Sequence, residues 1–238
     1  MFFFAPAFSA SPGLLIFAGK TGNLKTVLLS TAYLPPLDYM VALYASAGVV
    51  FEMHETYPRQ TWRNRCRIAT ANGLLDLSIP VEKPHGNPTT SGDVVISGKH
   101  SWQHIHWRAI RSAYSKSPFF MYYQDLLEPF YKNPAPQHLV KWNHQLLEAI
   151  AGVLHPLPPV HFTEAYARKP EGVTDLRDAF SPKAHRQQLE LATQLPPYYQ
   201  VFDEKFGFQP NLSVADLLFN LGPDAGPALL DWGKHLSV

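Results

Sequence analysis

The sequence predicts an α/β fold, a single mixed domain with an N-terminal βαβ unit, a hairpin, and a helix-rich middle and C-terminal part. Three observations support this prediction. A strand, helix and strand pattern begins at residue 26, an Asn-Gly turn joins two alternating segments, and apolar residues then recur at helical spacing. The 238 residues, 46% of them hydrophobic, are enough to bury the core of one large domain. We expect this domain to span residues 25–238.

The βαβ unit is predicted from residues 26–53. The apolar run 26–30 suits a buried strand, the prolines at 35 and 36 favour the first turn of a helix, and residues 49–53 form a second strand-like run. Two strands joined by a crossover of this length pair in parallel. Between the runs, four side chains recur at helical spacing: Leu37, Met40, Val41 and Tyr44.

The later elements are predicted from alternation and periodicity. Residues 65–69 and 74–81 alternate as strands do, around a turn at 71–73. Residues 213–216 resemble a capping box at the start of a helix that ends near Gly222. The remaining predictions are helices at 102–116, 119–131, 137–154 and 185–193, a strand at 160–163, and loops at 85–98 and 171–182.

Residues 1–24 are expected to form a poorly ordered extension. The stretch is apolar, but no basic residue opens it, Pro6 and Pro12 interrupt it, and it is too short to span a bilayer. A weak signal peptide is the alternative. The one cysteine, Cys66, excludes a disulfide within the chain and a Cys-based zinc site. It fits a reducing compartment, so we expect a cytoplasmic protein, although secreted proteins without disulfides also exist.

The charge balance and the missing motifs limit the functional classes. The formal net charge is +1, whereas general nucleic-acid binders carry a basic excess. The chain contains no dinucleotide fingerprint, P-loop, nucleophile elbow or zinc-deaminase signature. The sequence therefore disfavours nucleic acid as a partner and leaves any cofactor unassigned.

Residues 57–68 carry the most informative pattern, in which four arginines surround Trp62 and Asn64. Guanidinium groups bind phosphates and carboxylates bidentately and remain charged at neutral pH. Because alternate residues of a strand share a face, we expect three of the arginines to project from one side. The block predicts a site for a small molecule that bears a phosphate or a carboxylate. The alternative is that Arg63, Arg65 and Arg67 pair with acids on neighbouring strands, namely Glu52, Glu55 or Asp76.

Two histidines are candidate general bases. His54 follows the second predicted strand, at the end where open α/β sheets bind ligands, and two glutamates flank it. A surface histidine at a strand end is the alternative. His106 falls on the apolar face of its helix, so we expect it to face inward, either in the core or in a pocket. No acid accompanies His100, His104 and His106 at ligand spacing, which disfavours a metal site.

Two further sets of residues each allow a functional and a structural interpretation. The aromatic run 114–123 could stack a base or a sugar ring, although such a run at helical spacing is more often part of a core. Lys116 within it could pair with a phosphate or simply face water. Asp216 and Asn220 lie one helical turn apart, and the capping box accounts for Asp216.

Five stretches of the chain together carry a family resemblance. They are residues 33–36 (Tyr-Leu-Pro-Pro), 62–68 (Trp-Arg-Asn-Arg-Cys-Arg-Ile), 77–81 (Leu-Ser-Ile-Pro-Val), His106 with 114–120, and 211–220. On these residues the chain resembles the WbqC-like proteins, in the form found in Bacteroidetes-type bacteria, over roughly residues 27–230. The resemblance implies a cytoplasmic bacterial protein of surface-polysaccharide (O-antigen) biosynthesis, with acyl or aminoacyl transfer to a sugar as the supposed role.

The chain also departs from the family pattern. Residues 30–32 (Ser-Thr-Ala) stand where the family usually has Gln-Pro before the matching Tyr33. Met53 and His54 stand where the family usually has a pair of aspartates. Acid-dependent chemistry of the wider family is therefore not carried over to this chain.

We expect a transferase that acts on an activated, anionic sugar or acyl donor. Convergence of Arg63, His106 and Tyr33 on one cleft would favour this enzyme. Scattered positions would favour the alternative, a non-catalytic adaptor of a glycan-assembly complex, and the balanced charge makes RNA binding the least supported class. In the enzyme, His54 or His106 is the expected base, and the expected substrate-binding residues are Tyr33, Trp62, Arg63, Asn64, Arg65 and Lys116.

Overall fold

The computed structural model describes residues 25–84, 86–98, 101–135, 137–180, 182 and 195–234. Its strands are β1 Thr26–Ser30, β2 Gly48–Glu52, β3 Arg65–Thr70, β4 Gly73–Ser78, β5 Val81–Glu82, β6 Val95–Ile96, β7 Val160–Phe162 and β8 Thr174–Asp175. Its helices are α1 Leu37–Tyr44, α2 Trp102–Tyr114, α3 Phe120–Lys132, α4 Leu139–Leu154, α5 Asp203–Phe206, α6 Val214–Leu221 and α7 Ala225–Gly233.

The main sheet confirms the predicted βαβ unit and the α/β class. Its four strands lie in the order β7–β2–β1–β8, and all of its neighbouring pairs are parallel. The first strand pairs with the second from Thr26 opposite Gly48 to Ser30 opposite Glu52, with α1 as the crossover. Every residue of α1 is buried, because α6 and α7 pack against this helix.

The predicted hairpin is also confirmed, with a shorter second strand. β3 and β4 pair from Arg65 opposite Ser78 to Thr70 opposite Gly73, and Gly73 has a φ of 101° that favours glycine. The predicted strand at 74–81 divides at Pro80, because a proline cannot donate a ladder hydrogen bond. Val81 and Glu82 instead form β5, which pairs with β6 inside the segment predicted as a polar loop.

The central helices lie within two residues of their predicted bounds. Residues 171–182 were predicted to be a loop, and this prediction is wrong at β8. This strand of two residues pairs with Val27 and Leu28. Its conformation therefore depends on its pairing partner and not on a local sequence pattern. The predicted extension 1–24 and the predicted helix 185–193 lie outside the described residues.

The helices and the hairpin enclose an apolar core. Trp142, Tyr33, Tyr114 and Phe219 are its largest fully buried side chains. Among the described helices, none has the length and apolar character needed to cross a membrane.

Candidate functional site

The carboxyl edge of the main sheet gathers polar and charged side chains. β1 continues into α1 and β2 on one side, while β8 flanks it on the other side. Open α/β sheets bind ligands in the crevice where neighbouring strands part in this way. The candidate site therefore comprises residues that lie around the ends of β1, β2 and β8.

Arg177 crosses this edge immediately after β8. Its Nη1 donates to Oε2 of Glu52 at 3.0 Å, while its Nε and Nη2 donate to the two carboxylate oxygens of Asp175 at 2.9 and 2.6 Å. The guanidinium lowers the pKa of the Asp175 carboxyl, and Asp175 followed by Glu52 raises the pKa of Arg177. Arg177 is 8% exposed and Glu52 is 1% exposed, so the ion pair between them is shielded from water, whereas the side chain of Asp175 is 36% exposed.

Glu52, at the end of β2, fixes the segment that follows it. Its Oε1 accepts hydrogen bonds from the backbone N–H of His54 at 2.8 Å and from Oγ1 of Thr163 at 2.9 Å. The imidazole Nε2 of His54 lies 3.1 Å from the carbonyl oxygen of Thr163. Since a carbonyl only accepts, Nε2 donates in this contact, and in the neutral ring Nδ1 then holds the lone pair. His54 itself is exposed at the rim of the edge.

Arg63 lies at the same edge and is 4% exposed. Its Nε and Nη2 donate to Oε1 of Glu55 at 2.9 and 2.6 Å, and Nη2 also donates to Oγ of Ser30. Among the described residues no partner contacts its Nη1, which leaves two N–H donors of this guanidinium free for a ligand. The structural alternative for Arg63, an ion pair with Glu55, is thus correct, and it leaves part of the guanidinium free.

A small depression, partly open to solvent and with room for roughly one water-sized group, lies at the ends of β1 and β8. We call it the arginine depression. It is lined by the guanidinium-bearing Arg63 and Arg177, by polar residues of the β1 end, and by aromatic and apolar side chains: Ser30, Thr31, Ala32, Tyr39, Trp62, Leu176 and Phe180. A space of this size suits one small polar group, such as an oxygen of a phosphate or carboxylate, and not a whole ligand.

The charges around the arginine depression are nearly balanced. Three carboxylates, those of Glu52, Glu55 and Asp175, face two guanidiniums, those of Arg63 and Arg177. An added anion therefore relies on directed N–H donors rather than on excess positive charge. Nη1 of Arg63 is the group that provides such donors.

Two of the other three arginines of the 57–68 block belong to the hairpin, while Arg59 is exposed in the segment before it. Arg65 and Arg67 both contact Asp76, at 3.5 and 2.7 Å, as the structural alternative predicts. The guanidinium of Arg67 also lies 5.5 Å above the ring of Trp62. The expectation that three guanidiniums project together is wrong, because Arg63 precedes β3 and turns to Glu55.

Asn64 and Lys116 are not brought to the arginine depression. The side-chain amide of Asn64 donates to the carbonyl oxygen of Ile79 at 2.8 Å and thereby joins the open end of the hairpin. Lys116 is exposed in the turn between α2 and α3. Neither residue lines this depression, so the structure shows no contact there for the substrate-binding role predicted for each.

Tyr33 and His106 meet inside the core. The Tyr33 hydroxyl lies 3.0 Å from Nδ1 of His106 and 2.7 Å from the hydroxyl of Tyr131. Burial lowers the pKa of His106 to about 4, against a hydrogen bond to the Ser78 backbone, so the ring is neutral at pH 7. The inward orientation predicted for His106 is confirmed. Neither residue lines the arginine depression, so Arg63, His106 and Tyr33 do not share one cleft. By the criterion set from the sequence, this separation favours the adaptor over the enzyme.

Sequence reasoning missed Arg177 and Asp175. The signal was an Asp-x-Arg pattern within a segment interpreted as a loop. Its meaning depends on β8, which is too short to be recognised from alternation. Within the described residues, no three His, Cys, Asp or Glu side chains form a group that could hold a metal ion.

Comparisons with known proteins agree with the resemblance seen in the sequence. The profile of the WbqC-like protein family matches residues 31–179, which include β1's continuation, the 57–68 block and Arg177. The uncharacterised protein Rv1507c of Mycobacterium tuberculosis (strain ATCC 25618 / H37Rv) is 26% identical over 223 residues, covering 84% of this chain and 95% of that protein. No solved structure matches the chain.

Proposed function

The chain belongs to the WbqC-like protein family, and we propose that it is a transferase of surface-polysaccharide biosynthesis that binds an activated, anionic sugar or acyl donor in the arginine depression. One observation carries this proposal. Arg63 is buried at the edge where parallel sheets bind ligands, and its Nη1 has no partner among the described residues. A buried guanidinium with free N–H donors is suited to a phosphate or carboxylate oxygen.

The surrounding residues suit the rest of a donor. Ser30 and Glu55 hold Nε and Nη2 of Arg63, so the direction of Nη1 is set before a ligand arrives. The rings of Tyr39, Trp62 and Phe180 provide flat apolar walls for a base, a sugar or an acyl chain. His54, at the rim, has an Nδ1 lone pair that could accept a proton from the attacking group.

A thermal-shift screen tests the proposal. The panel contains nucleotide sugars, nucleoside triphosphates, acyl-CoA, amino acids and inorganic phosphate. A ligand at a hundredfold excess over its Kd stabilises the native state by about 2.7 kcal/mol. For a domain of this size that corresponds to a rise in Tm of about 5–10 °C.

The variant for the screen is Arg63→Met with Glu55→Gln, because removing Arg63 alone would leave a buried carboxylate without its partner. Arg65→Met is the matched control, since Arg65 belongs to the same block but contacts Asp76. We expect a shift with one donor class that the double variant loses and the control keeps. Loss of the shift in the control, or no shift with any compound in the wild type, would contradict the proposal.

The adaptor is the second candidate function, and exposed side chains on α3 favour it. Met121 and Tyr122 are 70% and 78% exposed in the first turn of this helix. Adjacent exposed apolar side chains mark sites of protein contact more often than single ones do. Radical footprinting can test this function by comparing oxidation of Met121 in purified protein and in the cell. Protection of Met121 in the cell, together with no donor shift, would support the adaptor.

A further inference from the structure

The segment that joins β7 to β8 lies at the carboxyl edge of the main sheet, outside the arginine depression. The depression has room for one small anionic group, so the rest of an activated donor must lie beyond its opening. The segment begins at the carboxyl end of β7 and returns to β8, and residues 164–169 within it are all exposed. It is therefore accessible to a ligand that extends out of the depression.

Tyr166, in this segment, places an aromatic ring beside the depression. The ring centroid lies 5.1 Å from Cζ of Arg177, which is one of the residues that line the depression. The Arg177 guanidinium is held in turn by Asp175 and Glu52. Thr163, at the start of the segment, donates from Oγ1 to Glu52 at 2.9 Å. The ring therefore rests on a fixed guanidinium, and the chain that carries it is tied to the end of β2.

The Tyr166 ring covers a buried group and is itself open to solvent. Tyr166 is 53% exposed, whereas the Arg177 guanidinium that it covers belongs to a residue that is 8% exposed. An aromatic face that is supported on one side and exposed on the other is the arrangement on which proteins stack nucleobases. A tyrosine also loses little conformational entropy when it is fixed, because it has only two side-chain torsions.

The guanidinium beneath the ring favours one kind of stacking partner. Arg177 interacts with the negative face of the Tyr166 ring, which is the basis of a cation–π contact. The C–H groups of a sugar carry partial positive charge and compete for the same electron density. A planar π system instead stacks in an offset arrangement and does not need an electron-rich face. The ring of Tyr166 therefore suits a nucleobase better than a sugar.

We propose that Tyr166 is the stacking platform for the nucleobase of a nucleotide-activated donor, whose phosphate binds in the arginine depression. The inference rests on the proposed donor site and names the class of the donor. Within one nucleotide a single ribose separates the base from the phosphate. The platform and the depression are likewise adjacent, because Arg177 contacts the first and lines the second. Tyr166 binds the base and takes no part in the bond changes.

Calorimetric titration with adenosine 5′-monophosphate and with ribose 5-phosphate tests the platform. The two compounds carry the same phosphorylated sugar and differ only in the base. Stacking of a base on an aromatic side chain changes affinity by about 5- to 150-fold, so we expect the nucleotide to bind the wild type more tightly by a factor in this range. The base protons of the bound nucleotide should also shift upfield in proton NMR spectra, because they lie over the ring.

Two variants separate stacking from the covering of Arg177. Tyr166→Phe keeps the ring and should keep both the preference for the nucleotide and the upfield shift. Tyr166→Leu keeps an apolar side chain over Arg177 without a ring, so both ligands should bind it as ribose 5-phosphate binds the wild type. Tyr199→Leu is the matched control, because Tyr199 is 51% exposed and does not line the depression; it should leave both affinities unchanged.

The outcomes separate this inference from the donor proposal. Equal affinities in the wild type, or a preference that Tyr166→Leu retains, would overturn the platform. An equal loss of both ligands in Tyr166→Leu would show that the ring acts only through Arg177 and would also overturn it. If the nucleotide did not bind at all, the platform would be refuted, and the other compounds of the thermal-shift panel would still decide the donor site.

The variant Arg63→Met with Glu55→Gln tests the phosphate contact by itself. We expect it to bind both ligands more weakly and to leave the ratio of their affinities unchanged. Wild-type affinity for both ligands in this variant would refute the arginine depression as the phosphate site, while the platform would stand. A ratio that fell to one in this variant would overturn the platform, because Tyr166 is intact there.

Discussion

Arg177 and Glu52 form an ion pair across the end of β1. The Nη1–Oε2 distance is 3.0 Å, and the two residues belong to strand ends that are not neighbours, since β1 lies between β2 and β8. Glu52 is 1% exposed, and its carboxylate contacts this partner and two hydrogen-bond donors. The pair thereby fixes three strand ends around the arginine depression.

Breaking this pair from one side should strongly destabilise the protein. Arg177→Met leaves the Glu52 carboxylate buried without its counter-charge, a change that costs about 3–5 kcal/mol of unfolding free energy. Arg177→Met with Glu52→Gln removes both charges and should cost less than the single change. Urea unfolding of the wild type, both single variants and the double variant completes a double-mutant cycle. Additive effects, or a single-variant cost below about 1 kcal/mol, would show that the pair behaves like an exposed one.

His106 should make stability rise with pH in a defined window. Burial places its pKa near 4 in the folded protein, below the ordinary value of 6.5. Between these values the unfolded chain binds more protons than the folded one, so stability increases as pH rises from about 4 to 6.5. The shift corresponds to about 3 kcal/mol. His106→Gln lacks this contribution, and urea unfolding at pH 4, 5, 6 and 7 measures the difference from wild type.

His106→Gln also alters the contact with Tyr33, which changes stability at every pH. The test is therefore how the difference in unfolding free energy between wild type and His106→Gln changes with pH. His104→Gln on the same helix is the control, since His104 is exposed. A difference that stays constant from pH 4 to 7 would mean that His106 titrates normally.

Asp216 should act with the opposite sign. Burial raises the pKa of its carboxyl to about 6 from the ordinary 3.8, although Tyr198 donates to Oδ2 at 2.6 Å. The folded protein therefore binds more protons between pH 3.8 and 6, and stability falls as pH rises through this window. Asp216→Asn removes about 3 kcal/mol of this pH dependence. Relative to wild type, the variant should gain stability from pH 4 to pH 7, and a loss over that range would contradict the assignment.

The helix start at Asp216 shows what a local sequence pattern can predict and what it cannot. Ser213 caps α6 by accepting from the backbone N–H of Ala215 at 3.2 Å, as the capping pattern predicts. The backbone N–H of Ser213 instead donates to the carbonyl oxygen of Arg67, so the carboxylate of Asp216 does not complete a reciprocal box. It binds Tyr198, 18 residues away. Helix starts are local, whereas the partners of buried side chains are decided by packing.

The candidate site likewise has parts that the sequence predicts and parts that depend on contacts between distant residues. The carboxyl edge, the β1–α1–β2 unit and the pairing of Arg63 with a nearby acid could be predicted, because Glu55 is eight residues from Arg63. Arg177 reaches Glu52 over 125 residues through β8, and Asn143 reaches Thr31 over 112. No periodicity or motif reports such distant contacts. These contacts around the end of β1 therefore became visible only in three dimensions.

Glycine substitutions on two helices test how α7 packs on α4. A Cβ at Gly226 would overlap the backbone carbonyl of Leu154, whereas a Cβ at Gly152 would have no atom within 4 Å. Alanine in place of glycine inside a helix ordinarily stabilises by about 0.5–1 kcal/mol. Gly152→Ala, the matched control, should show this gain.

Gly226→Ala should have the opposite sign and cost about 1–3 kcal/mol, because backbone atoms cannot move aside as the end of a flexible side chain can. Thermal or urea unfolding of the two variants beside the wild type measures both effects. The sign decides the interpretation, since both substitutions add the same methyl group to a helix. If both variants were stabilised equally, α7 would not lie against the end of α4, and the close contact between Gly226 and Leu154 would be refuted.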